Sequence, residues 1–181
     1  MAYTSSQIVQ AVPTGINSAL VLVATATPTA VASVSINNCF TSTYENYRIL
    51  FSSTAVTVAG DLTMRLRASA TDTTTNYTYQ TLESYSATTS STLNIVGTDE
   101  FYISRIDTPV GTSSSIDVYR PQLAQKTGYT SSSIFQSATP TLVQQQASGL
   151  QTALTQFDGF TLLFGGTNFT GTVRVYGYAN S

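Results

Sequence analysis

The sequence predicts an all-β protein, an antiparallel β-sandwich of jelly-roll-like type with an extended N-terminal arm. Three observations carry that expectation. Short runs alternate apolar and polar residues with period two, the mark of a half-buried strand, and Leu62-Thr63-Met64-Arg65-Leu66-Arg67 does so without exception. Turn residues punctuate the chain at spacings near ten residues, as in sandwiches and barrels. Only 9% of the 181 residues are charged while Ser and Thr make up roughly 30%, and threonine, being β-branched, suits the solvent face of a pleated sheet.

Residues 1–30 are small, uncharged and broken by Pro13 and Pro28, and they read as an extended arm, either a disordered tail or a segment that orders on a neighbouring subunit, the apolar content of Ala19 to Ala24 favouring the second. Residues 31–181 read as the sandwich domain. Val31 to Ile36 is its first strand, turned by Asn37-Asn38. Tyr47 to Phe51 is the next, with Ala55 to Val58 continuing it or following a kink at Ser52-Ser53. After Gly60-Asp61, Leu62 to Arg67 places Leu62, Met64 and Leu66 inward and Arg65 and Arg67 outward. Thr71 to Asn76 reads as a polar loop, and Tyr77 to Tyr85 as a strand with either face inward. Thr88 to Val96, Glu100 to Ile106, Ser115 to Arg120 and Tyr129 to Gln136 follow as strands. Leu142 to Leu154, with Gln144-Gln145-Gln146, reads as a strand, a short helix or a long polar loop. The chain closes on Phe160 to Phe164 and Thr170 to Tyr178 around Gly165-Gly166-Thr167-Asn168, a pattern that predicts a β-hairpin with Val173 and Val175 inward and Arg174, Tyr176 and Tyr178 outward.

Composition narrows the function. A net charge of -2 offers no basic field for a phosphate backbone, so no nucleic-acid partner is expected. The longest apolar run, Ala19 to Ala24, is far short of the ~20 residues that cross a bilayer, and no basic residue precedes Arg48 as a secretory signal requires. The expectation is a soluble protein made in the cytoplasm with no membrane partner. Histidine is absent, which removes the usual general base and the commonest transition-metal ligand. The acidic residues sit mostly beside turns, where Asp serves backbone hydrogen bonding, and no Asp-x-Asp-x-Asp calcium spacing occurs. No enzyme, metal or cofactor is expected. The single cysteine, Cys39, reads as a small buried residue.

Eleven tyrosines are the one conspicuous aromatic signal, and tyrosine suits core edges, subunit interfaces and sugar platforms alike. Tyr77, Tyr79 and Tyr85, beside the loop at Thr71 to Asn76, are candidate glycan or interface contacts. Arg174, Tyr176 and Tyr178, on the outer face of the last strand, are candidate interface contacts.

Two stretches resemble a family of tailed-phage virion proteins. Phe40-Thr41-Ser42-Thr43-Tyr44-Glu45-Asn46-Tyr47-Arg48-Ile49, with Leu62 to Arg67 and Tyr77-Thr78-Tyr79-Gln80, is similar to that family's opening. Phe157-Asp158-Gly159-Phe160, through Gly171-Thr172-Val173-Arg174-Val175-Tyr176-Gly177-Tyr178, is similar to its ending. The resemblance implies a β-sandwich or jelly-roll protein of the particle exterior, without catalytic residues: a capsid decoration or cement protein, or a head fibre. It implies a homotrimer whose partners are the major capsid protein or tail proteins. The alternative it leaves open is a tail or fibre module that recognises host-surface carbohydrate.

Overall fold

The computed structural model describes residues 19–86, 89–108, 111–136, 142–165 and 168–179, without the side chains of residues 85, 86 and 89. Among these residues thirteen strands form and no helix: β1 (Leu20–Ala26), β2 (Ser33–Ile36), β3 (Asn46–Val56), β4 (Gly60–Ala68), β5 (Thr71–Asp72), β6 (Tyr77–Ser86), β7 (Thr89–Thr98), β8 (Phe101–Ile106), β9 (Thr112–Tyr119), β10 (Thr127–Gln136), β11 (Leu142–Gln151), β12 (Gly159–Phe164) and β13 (Phe169–Tyr178). A large sheet of eight strands runs β1-β13-β3-β9-β10-β11-β6-β7. A small sheet runs β2-β12-β4, with β8 and β5 sharing the far edge of β4. All pairings are antiparallel. The chain passes repeatedly from one sheet to the other, and the two pack face to face as the expected all-β sandwich.

Period-two alternation explains why these strands form. Every second residue of β10 is buried, as are Val143, Gln145, Ala147 and Gln151 on β11, Leu62, Met64 and Leu66 on β4 and Val173 and Val175 on β13. The inner faces meet through aromatic rings: Phe101 of β8 lies 4.7 Å from Tyr77 of β6 and 4.1 Å from Tyr129 of β10, while Phe40, between β2 and β3, lies 5.7 Å from Phe160 of β12. Each fully buried side chain of this size contributes about 1.5–3 kcal/mol over its exposed state. Cys39 belongs to this core at 1% exposure, and burial pushes its thiol up to about 12, as a packing residue requires.

Two expectations change, the arm and the closing hairpin, and two open alternatives are resolved, at Ser52-Ser53 and in the glutamine-rich stretch. The N-terminal arm drawn to residue 30 is shorter, because Leu20–Ala26 joins the large sheet by pairing with β13; the arm's residues 1–18 lie outside the described residues. The kink considered at Ser52-Ser53 is absent: β3 runs unbroken to Val56, with Thr54 bulged opposite the Thr170/Gly171 step. The glutamine-rich stretch is a full interior strand, β11, paired on both edges. The closing hairpin does not form. β12 is buried on both faces and takes β2 and β4 as its ladder partners, so neither edge is open to β13, which pairs with β1 and β3 in the opposite layer. The chain crosses between the layers from Phe164 to Phe169, whose rings meet edge to face at 6.2 Å.

Candidate functional site

The outer face of the large sheet is a broad surface ordered by strand register. One cross-strand row runs Tyr176, Arg48, Asp117, Thr130, Ser148, Gln80, Asn94. A neighbouring row carries Tyr119, Gly128, Leu150, Thr78 and Val96, and the row on the other side carries Arg174, Leu50, Ser115, Ser132, Gln146 and Leu82. Hydroxyls and amides dominate, interrupted by aliphatic side chains of which Leu50, Leu82, Val96 and Leu150 are exposed.

Charge on this face is gathered at one corner. Arg48 grips Asp117 with two hydrogen bonds, Nε to Oδ1 and Nη2 to Oδ2, both 2.8 Å, and its guanidinium lies 5.5 Å from the centre of the Tyr178 ring. Tyr178 donates its hydroxyl proton to Asp117 Oδ1 at 2.6 Å. Burial would raise the Asp117 carboxyl, but these hydrogen bonds and the Arg48 charge outweigh it and hold the group below the usual carboxylate range. Burial, with the accepting carboxylate, pushes the Tyr178 hydroxyl up to about 12, so it remains a donor.

The candidate residues named from sequence do not converge. Arg174, Tyr176 and Tyr178 face outward from β13, as expected, and share the outer face of the large sheet with Arg48 of β3 and Asp117 of β9. Tyr77 and Tyr79 instead point inward from β6, five strands away. Tyr77 is no contact residue: it is 1% exposed, its ring packs 4.7 Å from Phe101, and its hydroxyl accepts from Leu66 N–H at 2.9 Å and donates to the Thr73 carbonyl at 3.1 Å. The reason is a gap along β4. β8 pairs as far as Met64 and β5 begins at Arg67, so the backbone of Leu66 between them needs a side-chain partner. Tyr79 is half-buried and stacks on Tyr102 at 6.0 Å. The side chain of Tyr85 lies outside the described set.

Eight of the nine acidic side chains, all but the exposed Glu45, take part in structural contacts, Asp117 with Arg48 among them. Arg65 pairs with Asp99 and Glu100, Arg67 with Asp72, Arg105 with Asp61, and Glu83 accepts from Gln145. Asp158 accepts from Ser69 N–H, and Asp107 from Thr108 N–H. Among the described residues no group of three or more Cys, Asp or Glu could hold a metal ion, and no helix is long and apolar enough to cross a membrane.

The residues that shape concavities on the outer face escape composition-based reading. A groove of about 520 Å³ lies over Tyr119, Gly128, Leu150, Gln80 and Asn94, and it runs into a second of about 450 Å³ over Leu82, Thr92 and Gln146. Alternation alone marks these side chains as outward; only register brings them together. The chain matches no family model, no curated protein and no solved structure.

Proposed function

We propose that the chain is a non-enzymatic structural protein of a tailed-phage particle exterior, a capsid decoration or cement protein or a head fibre, acting as a homotrimer bound to other virion proteins. The observation that supports this most is the pair of strands that end the large sheet. β1 (LVLVATA) and β7 (TSSTLNIVGT) contain no charged residue and no proline, and among the described residues no strand pairs beyond either. Proteins that work alone blunt such edges with charge, proline or a covering segment, because an open edge is a template for another chain. Val21, Leu22, Leu93 and Val96 on these strands are also exposed. Edges of this kind suit a protein whose working form is an assembly. The commitment of eight of the nine acidic groups to arginines, glutamine, hydroxyls and backbone supports a structural rather than a hydrolytic role. The phage context rests on the resemblance of residues 40–49, 62–67, 77–80 and 157–178.

Sedimentation of the purified protein and its binding to particles lacking it test the proposal. A trimer that binds such particles is expected. Ser91→Lys sits opposite Glu83 on β6, so it keeps a favourable cross-strand pair while charging the β7 edge, and it is expected to weaken assembly without lowering Tm. A stable monomer with no affinity for particles would overturn the proposal.

A further inference from the structure

We infer that the outer face of β10, β11, β6 and β7 is the surface on which a second copy of this chain packs, sheet face against sheet face. The inference rests on the assembly reading and names the surface through which the copies meet.

Charge is divided unevenly between the two layers. The ion pairs of Arg65, Arg67 and Arg105 all lie on the small sheet or the turns beside it, and Arg48 pairs with Asp117 on the β3-β9 side of the large sheet. The outward side chains of β10, β11, β6 and β7 include no ionisable group. A surface that works in water normally carries charges of both signs, and their depletion is the compositional mark of the centre of a protein interface. Aliphatic groups stand there instead. Leu82, Val96, Ile134, Leu142 and Leu150 are exposed on this face, Val96 at 78% and Leu142 at 67%, and among the described residues nothing covers them.

The occupant follows from the kind of surface. Between the aliphatic groups stand the amides of Gln80, Asn94, Gln144 and Gln146, each of which both donates and accepts, so the face is complementary to itself. A contact between copies sets like against like, which a face bearing one sign of charge resists and this one does not. A groove of about 450 Å³ beside Leu82, over Thr130 and Ser148, gives the face a hollow as well as ridges, as interlocking copies need. A face of one kind throughout serves a two-fold contact, in which it meets itself, and a three-fold one, in which one flank meets the other.

The area is sufficient. The four strands are each ten residues long, so at about 3.4 Å per residue and about 4.8 Å between strands they span about 34 by 19 Å, on the order of 650 Å² in projection. A stable contact buries about 800 Å² on each partner, measured as accessible surface, which includes side-chain relief and so exceeds the projection.

The test is sedimentation of the full-length protein across a dilution series, with two isosteric substitutions that place a carboxylate at exposed positions of the face, Gln80→Glu and Gln144→Glu. Each should raise the dissociation constant about tenfold or more, because the contact then buries a charge without a partner, while circular dichroism shows the fold retained. Ser33→Glu, which adds the same charge on β2 of the small sheet, should leave the constant unchanged. Association that the two face variants leave intact, or that Ser33→Glu weakens equally, overturns the inference. If the face variants still associate and only Ser91→Lys separates the copies, the sheet edge carries assembly and the face does not. A wild-type chain that stays monomeric also overturns it; loss of particle binding by the two face variants would then assign the face to the capsid protein.

Discussion

Replacing Tyr77 by phenylalanine removes one oxygen atom from the core and strands one backbone group. The Leu66 N–H lies in the stretch of β4 that neither β8 nor β5 reaches, and the Tyr77 hydroxyl is its acceptor at 2.9 Å. Phenylalanine keeps the ring and its edge-to-face contact with Phe101 but offers no acceptor. An orphaned buried donor costs about 1–3 kcal/mol. In a domain of this size each kcal/mol moves Tm by about 2–4 °C, so Tyr77→Phe should lower Tm by about 2–12 °C. Tyr77→Ala adds a cavity and should cost about 3–5 kcal/mol. Thermal and urea unfolding followed by circular dichroism measure both. Particle binding by the folded fraction of Tyr77→Phe should be unchanged. A variant with wild-type Tm and lost binding would refute the reasoning and return Tyr77 to the surface role its sequence position suggests.

Three other perturbations follow from the same geometry. Because the folded carboxyl of Asp117 lies below its ordinary value, its contribution is fully present above the unfolded pKa of about 3.9 and is lost as pH falls through the folded value. Asp117→Asn should cost on the order of 1 kcal/mol at pH 7, solvent screening limiting the half-exposed Arg48 pair, and the difference from wild type should shrink below about pH 4 in urea titrations; a gap independent of pH contradicts the assignment. Gly171→Ala should cost about 1–3 kcal/mol, since its Cβ would lie 2.3 Å from the Ser52 carbonyl oxygen and 3.0 Å from Ser53 Cα, backbone atoms that cannot turn aside, whereas Gly128→Ala should be neutral; equal urea midpoints for the two would be inconsistent with the register. Val175→Lys puts an unpaired charge at 0% exposure in an interior strand and should cost several kcal/mol, leaving little folded protein by circular dichroism; an unchanged Tm would mean that β13 faces the other way.

Where the sequence was legible, the signal was local. Leu62 to Arg67 and Thr172 to Tyr178 alternate because one face of each meets the core and the other meets water or a polar layer, and that contrast is written residue by residue. Partner choice is not local. β1 has no neighbour in sequence to pair with, and its ladder partner lies some 150 residues away on β13. The Phe160–Phe164 run looks like half of a hairpin until both its edges are taken by β2 and β4. β11 was ambiguous because its buried face includes Gln145, fully enclosed, whose Oε1 accepts from Arg105 N–H at 3.1 Å and whose Nε2 donates to the Tyr102 hydroxyl at 3.1 Å. A glutamine that satisfies the backbone of β8 reads as a loop residue when the strand it serves is out of view. The outer-face candidates divided along the same line. Arg174, Tyr176 and Tyr178 were visible from alternation, whereas Gly128, flanked by Thr127 and Tyr129, looks like a turn glycine until register sets it between Tyr119 and Leu150.

The central claim is that this chain works as part of a particle surface, and quantifying it on purified particles tests that most directly. The account predicts that the protein stays bound in a fixed ratio to the major capsid protein through gradient purification, in multiples of three, and that Ser91→Lys lowers that ratio while the free protein keeps its Tm. Protein found only in the soluble fraction, with the wild-type chain and Ser91→Lys behaving alike, would contradict it.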